Sequence, residues 1–281
     1  MLLCPLAVPS ASGGSPWKWQ SSLAVPEEYG RLLHPSSFFI DETRHRFYVS
    51  DTGNDRLLSF DFNGTFLNEF NPEKKLDMPG CLLRTDKEIF LVCEGDKAGL
   101  TLIDPKAKRI EHLSLRDQDR EVIPRKIVAV DHSFLVLDRF SGDIILFDAA
   151  FHPSIVMSCS SCESGFIDFA VNEDKIFALQ RESGNISVFS PEGNLLQTIT
   201  LTPGLQLPYA LAVDQTQRLF IIDRSANQIA VYTMDGKFAY AFLGKGNNQG
   251  KLYFPAGLQF DDAGRLIVLD EGNGRVEIYQ R

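Results

Sequence analysis

Six residues that each open a tight turn recur along the chain: Asp51, Glu94, Asp138, Gln180, Asp223 and Asp270. They are separated by 43, 44, 42, 43 and 47 residues. Five of the six are acids, and carboxylates are what a hard cation takes as ligands. An Asp that opens a turn has a local use too, because its side chain accepts backbone N–H bonds there. Recurrence in almost every repeat favours the local use, since a binding site does not need so many copies. The residue one step later carries more chemistry: it is Thr52, Gly95, Arg139, Arg181, Arg224 and Glu271. Three consecutive repeats thus place Arg at one position, and Arg125 and Lys126 begin a strand of the first of these three. Guanidinium groups grip a carboxylate or phosphate in bidentate fashion, so this side is the candidate anion site. The competing use is an ion pair with an acid of a neighbouring repeat, such as Asp168 or Glu182. Asp168, Phe166 and Tyr209 begin strands on the same presumed face. Asp168 is the weak candidate for holding a cation; the two aromatics either line a pocket or plug the centre.

Other chemistries find little support. The histidines, His34, His45, His112, His132 and His152, fall at unlike repeat positions and do not predict a zinc site. No Gly-x-Ser-x-Gly elbow occurs, and Gly244-Lys245-Gly246 has no helix after it to cradle a phosphate. Cys81 and Cys93 flank two strands expected to be antiparallel partners, and Cys159-Ser-Ser-Cys162 is a C-x-x-C with no following His and no second pair. These four cysteines are candidate disulfides or free thiols; Cys4 stands apart.

The positions above are held by a repeated hairpin. RLFIIDRSANQIAVYTM reads as a β-rich run, a turn and a second β-rich run, and RFYVSDTGNDRLLSFD, EIFLVCEGDKAGLTLID, SFLVLDRFSGDIILFD, KIFALQRESGNISVFS and RLIVLDEGNGRVEIYQ repeat it. An inner strand precedes each hairpin: Ser36–Asp41, Gly80–Thr85, Lys126–Asp131, Ile167–Asn172, Tyr209–Asp214 and Ala256–Asp261. An outer strand follows all but the last. The inner strands are nearly unbroken apolar runs, as expected where both faces of a sheet are covered. A period near 43 with four strands predicts an all-β, six-bladed β-propeller of four-stranded antiparallel blades. The last repeat ends at Arg281 one strand short, and Gly30–Pro35 matches Gly250–Pro255, so Trp17–Leu23 is expected to complete the C-terminal blade and close the ring.

Pro-x-x, three apolar residues and Asp, then a strand and Asp-x-x-Asn-x-Arg, resembles the NHL repeat. Asp51/Asn54/Arg56 and Asp270/Asn273/Arg275 fit well; Asp138/Ser141/Asp143 and Asp223/Ala226/Gln228 fit partly; Glu94/Lys97/Gly99 and Gln180/Ser183/Asn185 fit poorly. The resemblance covers Trp17 to Arg281 and implies the propeller, not an activity. NHL-type amidating lyases use zinc held by His from several blades, which the histidines here do not match. Gluconolactonase-like propellers hold a divalent cation with inner Glu, Asn and Asp; their Gly-Glu-Gly-Pro opening is missing, and only Asp168 keeps that site open. RNA-binding NHL proteins carry a basic face.

The 281 residues are 44% hydrophobic and 23% charged, enough to bury a core, and carry a net charge of −9, which argues against nucleic acid. No apolar run is long enough to span a bilayer. Residues 1–14 form an apolar run followed by small residues, like the tail of a secretory signal or a frayed terminus, and 15–281 read as one propeller domain. The location expected is extracytoplasmic, periplasmic or secreted, with cytoplasmic as the alternative. The function expected is a non-catalytic binding or scaffold protein, a monomer presenting a propeller face to a protein, peptide or small acidic molecule, with no cofactor. The alternative is a metal-dependent hydrolase or lyase with its site, and a divalent metal, at the mouth of the central channel.

Overall fold

The structure is a computed structural model, and it describes residues 16–71 and 76–281. The expected cleavage segment at 1–14 and Cys4 lie outside the described residues. Six four-stranded antiparallel sheets follow one another along the chain as the blades of a six-bladed β-propeller. They fall into two compact units, Leu23–Ser158 and the remainder.

The first unit holds three blades. Blade one is Ser37–Asp41, Arg46–Asp51, Arg56–Asp61 and Phe66–Phe70; blade two is Pro79–Arg84, Phe90–Glu94, Leu100–Asp104 and Arg109–Leu113; blade three is Pro124–Val130, Ser133–Asp138, Ile144–Phe147 and Pro153–Met157. Between blades two and three stands a two-stranded hairpin, Arg116–Asp117 with Arg120–Glu121, whose two-residue strands are too short to leave a period in the sequence. One core cluster joins the facing sheets of blades one and two, around Tyr48, Leu57, Leu82 and Val92. Another joins blades two and three, around Leu83, Leu91, Val136 and Phe147.

The second unit holds blade four (Phe166–Asn172, Lys175–Gln180, Ile186–Phe189, Leu195–Ile199), blade five (Pro208–Val213, Arg218–Asp223, Gln228–Thr233, Phe238–Leu243) and blade six (Gly257–Phe260, Leu266–Asp270, Arg275–Gln280). Blade six takes its fourth strand, Lys18–Ser22, from the N-terminus, which pairs antiparallel with Arg275–Gln280 as the ring closure requires. Trp17 anchors that strand, its ring 5.7 Å from Phe220, 5.7 Å from Phe260 and 6.1 Å from Phe242. Glu277, almost wholly buried, accepts from Trp19 Nε1 at 2.5 Å and Ser22 Oγ at 2.6 Å.

Burial follows strand order in the way the apolar runs predict. Leu266–Asp270 in the middle of blade six is buried at every residue, and the outer strand Leu195–Ile199 of blade four is exposed at all but its last. Middle strands are covered on both faces by neighbouring sheets, whereas outer strands meet solvent.

Candidate functional site

The recurring turn acids are buried clasps. Asp51 Oδ1 accepts the Leu33 N–H at 2.6 Å, Glu94 Oε2 that of Asp77 at 2.8 Å, Asp138 Oδ1 that of Ile123 at 2.9 Å, and Asp270 Oδ1 that of Tyr253 at 2.7 Å. Asp223 accepts more loosely, from Gln206 at 3.3 Å and Leu207 at 3.4 Å. Each donor lies just ahead of the inner strand of the same blade. The residue two places after the acid returns a bond in the other direction, Gly53 N–H to Leu33 O at 2.8 Å and Gly272 N–H to Tyr253 O at 2.8 Å. The local use expected for these acids holds at Asp223, which accepts the Ser225 and Ala226 N–H at 3.1 and 3.3 Å, and at Asp138, which accepts that of Ser141 at 3.1 Å. All five acids also accept from a segment 15 to 18 residues upstream. Where the motif is complete, the second oxygen is also used. Asp51 Oδ2 takes Asn54 Nδ2 at 2.8 Å and Arg56 Nε at 2.7 Å, and Asp270 Oδ2 takes Asn273 at 2.7 Å and Arg275 at 2.9 Å. Burial pushes the Asp270 carboxyl above the usual carboxylate range, against the bonds from Tyr253 N–H, Asn273 and Arg275 that pull it down.

The residues of the predicted anion site make the following contacts. Arg139 is ion-paired with Asp96 of blade two, and Arg224 with Glu271 of blade six. These are acids of neighbouring blades. Arg224 also lies 4.3 Å above the Tyr209 ring and 5.6 Å from Phe254, so the structure brings the predicted residues Arg224 and Tyr209 together. Arg181 donates to backbone carbonyls, Ser164 O at 3.0 Å and Phe166 O at 3.3 Å. Arg125 and Lys126 are half-buried on the inner strand of blade three. Phe166 is fully buried edge-to-face on Phe189, 5.8 Å between centroids, so it belongs to the core and lines no binding face. The Asp168 carboxylate is also buried, and it accepts the Leu211 N–H at 2.8 Å, tying blade four to blade five. Cys81 is bonded to Cys93 and Cys159 to Cys162, with Cα separations of 5.0 and 5.6 Å.

A different group of residues shares an open cleft of about 540 Å³ in blade two: Glu94, Lys97, Ala98, Thr101, His112 and Glu121. The repeat that carries it departs from the pattern. Arg56 in blade one and Arg275 in blade six stand five residues after the turn acid and bind it. In blade two that position is Gly99. The Gly99 N–H donates to Val122 O at 2.9 Å, and at φ +82° an added Cβ would lie 2.0 Å from Leu113 O. No side chain can occupy the place. Thr101 takes over one duty of the missing arginine, its hydroxyl donating to Glu94 Oε1, while Lys97 Nζ sits 3.3 Å from Glu94 Oε2 and 3.4 Å from Asp77. These two carboxylates raise the Lys97 pKa against the opposing effect of desolvation. His112 faces Thr101 across the strand pair, and Glu121, on the inserted hairpin, is 3.4 Å from Arg116. One imidazole, one ammonium, a hydroxyl and two carboxylates thus line one solvent-open cavity, a set suited to moving protons and steadying a developing anion. Sequence reasoning passed over Lys97, Thr101, His112 and Glu121. The signal that could have found them was the Glu94/Lys97/Gly99 departure from the repeat.

Among the described residues no three His, Cys, Asp or Glu side chains gather closely enough to hold a metal ion, and the Asp168 carboxylate already binds backbone.

No family model matches the chain, and no curated protein is similar enough in sequence to count as a relative. Solved structures do match in fold. Streptogramin B lyase superposes with a TM-score of 0.66 at 12% identity, over 94% of this chain and 97% of that one. XC5397 of Xanthomonas campestris, a gluconolactonase, gives 0.64 at 14%, over 97% and 98%. An auxiliary nutrient binding protein of Bacteroides thetaiotaomicron gives 0.65 at 10%, over 89% and 69%. At such identities the likeness establishes the six-bladed propeller. It also corrects the expectation of a non-catalytic scaffold: neighbours spanning nearly the whole chain are a lyase and a lactonase, and the hydrolase or lyase alternative fits them better.

Proposed function

We propose that this chain is an enzyme of the hydrolase or lyase class acting on a small molecule, with its reaction site in the blade-two cleft. The observation that carries this is the convergence of His112, Lys97, Thr101, Glu94 and Glu121 on one cavity. In that site His112 is the proton-transfer group, either activating water or removing a substrate proton. Lys97, held by Glu94 and Asp77, offers a fixed positive charge to the oxygen on which negative charge grows. Glu121 is the second acid–base group. The names of the neighbours support the reaction class, a lyase and a lactonase on the same fold.

The test is a turnover screen of the purified protein against gluconolactone and quinupristin, followed by His112→Ala and Lys97→Met. His112→Ala should lower kcat/KM by about 10²- to 10⁴-fold, the usual worth of a positioned acid–base group. Turnover that both variants leave intact would place the reaction outside this cleft. No turnover of either compound, nor of a wider panel of esters and lactones, would end the hydrolase or lyase reading.

We also read the repeats as NHL-like, on the support of the complete Asp-x-x-Asn-x-Arg clasps in blades one and six. Two disulfides support an extracytoplasmic location, where an oxidising milieu preserves them. Among the described residues no helix is long and apolar enough to cross a membrane.

A further inference from the structure

The two disulfides differ in kind. Cys81 and Cys93 are 6% and 2% exposed, join the inner two strands of blade two, and pack among Leu83, Leu91 and Val136. Cys159 and Cys162 lie in the loop ahead of blade four, both half-exposed, with Ser158, Ser160, Ser161 and Glu163 beside them open to solvent. A thiolate must reach a sulfur to exchange with it, so the second bond is the accessible one.

Its structural value is also small. In the chain-entropy account a cross-link stabilises in proportion to the logarithm of the loop it closes, and here the cysteines stand only three positions apart, against twelve for the other pair. The loop is held by bonds that do not involve sulfur: Arg181 N–H donates to Gly165 O at 3.0 Å, and the Arg181 guanidinium to Ser164 O at 3.0 Å and Phe166 O at 3.3 Å. Breaking the disulfide therefore leaves the backbone from 164 to 166 anchored. The Gly165 carbonyl is 3.7 Å from Cys162 Sγ, placed to accept the S–H bond of that residue once it is a thiol.

We propose that Cys159–Cys162 is a thiol–disulfide exchange site that reacts reversibly with an external dithiol, while Cys81–Cys93 remains closed. One thiolate of the dithiol attacks Cys159 Sγ, forming a mixed disulfide and breaking the Cys159–Cys162 bond. Cys162 leaves as a thiolate, takes a proton and keeps it in an S–H hydrogen bond to the Gly165 carbonyl. The second thiolate of the dithiol then attacks the mixed disulfide and releases Cys159. The dithiol is oxidised by two electrons to its own disulfide, and its two protons end on Cys159 and Cys162. This chemistry is independent of the blade-two cleft.

The test uses the full oxidised chain under native conditions, titrated with dithiothreitol, quenched by alkylation and read peptide by peptide, which separates the loop from Cys4. Cys159 and Cys162 should become alkylated together at dithiol concentrations at least about tenfold below those that open Cys81–Cys93, with far-ultraviolet circular dichroism unchanged. Both bonds opening together, or the loop bond resisting until the protein unfolds, would overturn the proposal. Two variants test the polarity. With glutathione disulfide, Cys162→Ser should form a mixed disulfide at Cys159 at least about tenfold faster than Cys159→Ser does at Cys162; equal rates would overturn the assignment of Cys159 as the attacked sulfur.

Discussion

Asp51 and Leu33 are joined by a 2.6 Å hydrogen bond from the Leu33 N–H to the Asp51 carboxylate, across 18 residues of chain. The same carboxylate takes the Arg56 guanidinium, itself almost wholly buried, at 2.7 Å. One side chain thus fixes the segment that leads into blade one and neutralises a buried cation. Removing it leaves the Leu33 N–H without its acceptor, while Arg56 keeps Glu69 at 3.0 Å and Tyr29 O at 2.7 Å. Asp51→Ala should cost about 1–3 kcal/mol, the usual penalty for leaving a buried donor unmet. Denaturant unfolding of the variant measures this, and a loss below 1 kcal/mol would show that the clasp contributes little.

Gly99 offers a sharper test of the blade-two backbone. Its positive φ and the 2.0 Å approach of any Cβ to Leu113 O leave no room for alanine. Gly99→Ala should destabilise by more than about 1 kcal/mol, since the strain exceeds the gain from a stiffer unfolded chain. A midpoint equal to wild type would mean that the backbone there relaxes freely.

The N-terminal strand depends on Trp17 for packing and on Glu277 for polar contacts. Trp17→Ala empties a site walled by Phe220, Phe242 and Phe260 and should cost about 3–5 kcal/mol. Glu277→Gln keeps the shape but gives up the charge that holds Trp19, Ser22 and Arg275. Amide exchange of Lys18–Ser22 should accelerate in both variants while blade two keeps its protection. Uniform acceleration throughout the chain would refute a local role.

Asp235 carries a pH signature. The hydrogen bonds from Lys237, 2.6 Å away, and from Thr233 hold its carboxyl at about 2, below the ordinary 3.8. Its folded value is depressed, so its contribution to stability is present above the unfolded value and is lost as pH falls from near 4 towards 2. The side chain is exposed, so the effect on stability is small and the titration itself is the better readout. Lys237→Ala should move the Asp235 midpoint upward in an NMR titration; an unmoved midpoint would remove Lys237 as the cause.

The repeat period, the apolar inner strands and the incomplete last repeat were sufficient, by themselves, to determine six four-stranded blades and an N-terminal strand completing the sixth. All of these follow from residue spacing along one dimension, and period is a property of spacing. The use of the turn acids as backbone acceptors was legible for the same reason, although their donors 15 to 18 residues upstream were not. What tertiary structure alone decided was which side chains meet. Arg139, Arg181 and Arg224 share a repeat position, yet each is turned to its own partners, because equal positions in a repeat do not impose equal neighbours. Lys97, Thr101, His112 and Glu121 share no repeat position and line one cleft all the same. A turn, two strands and an inserted hairpin bring them there.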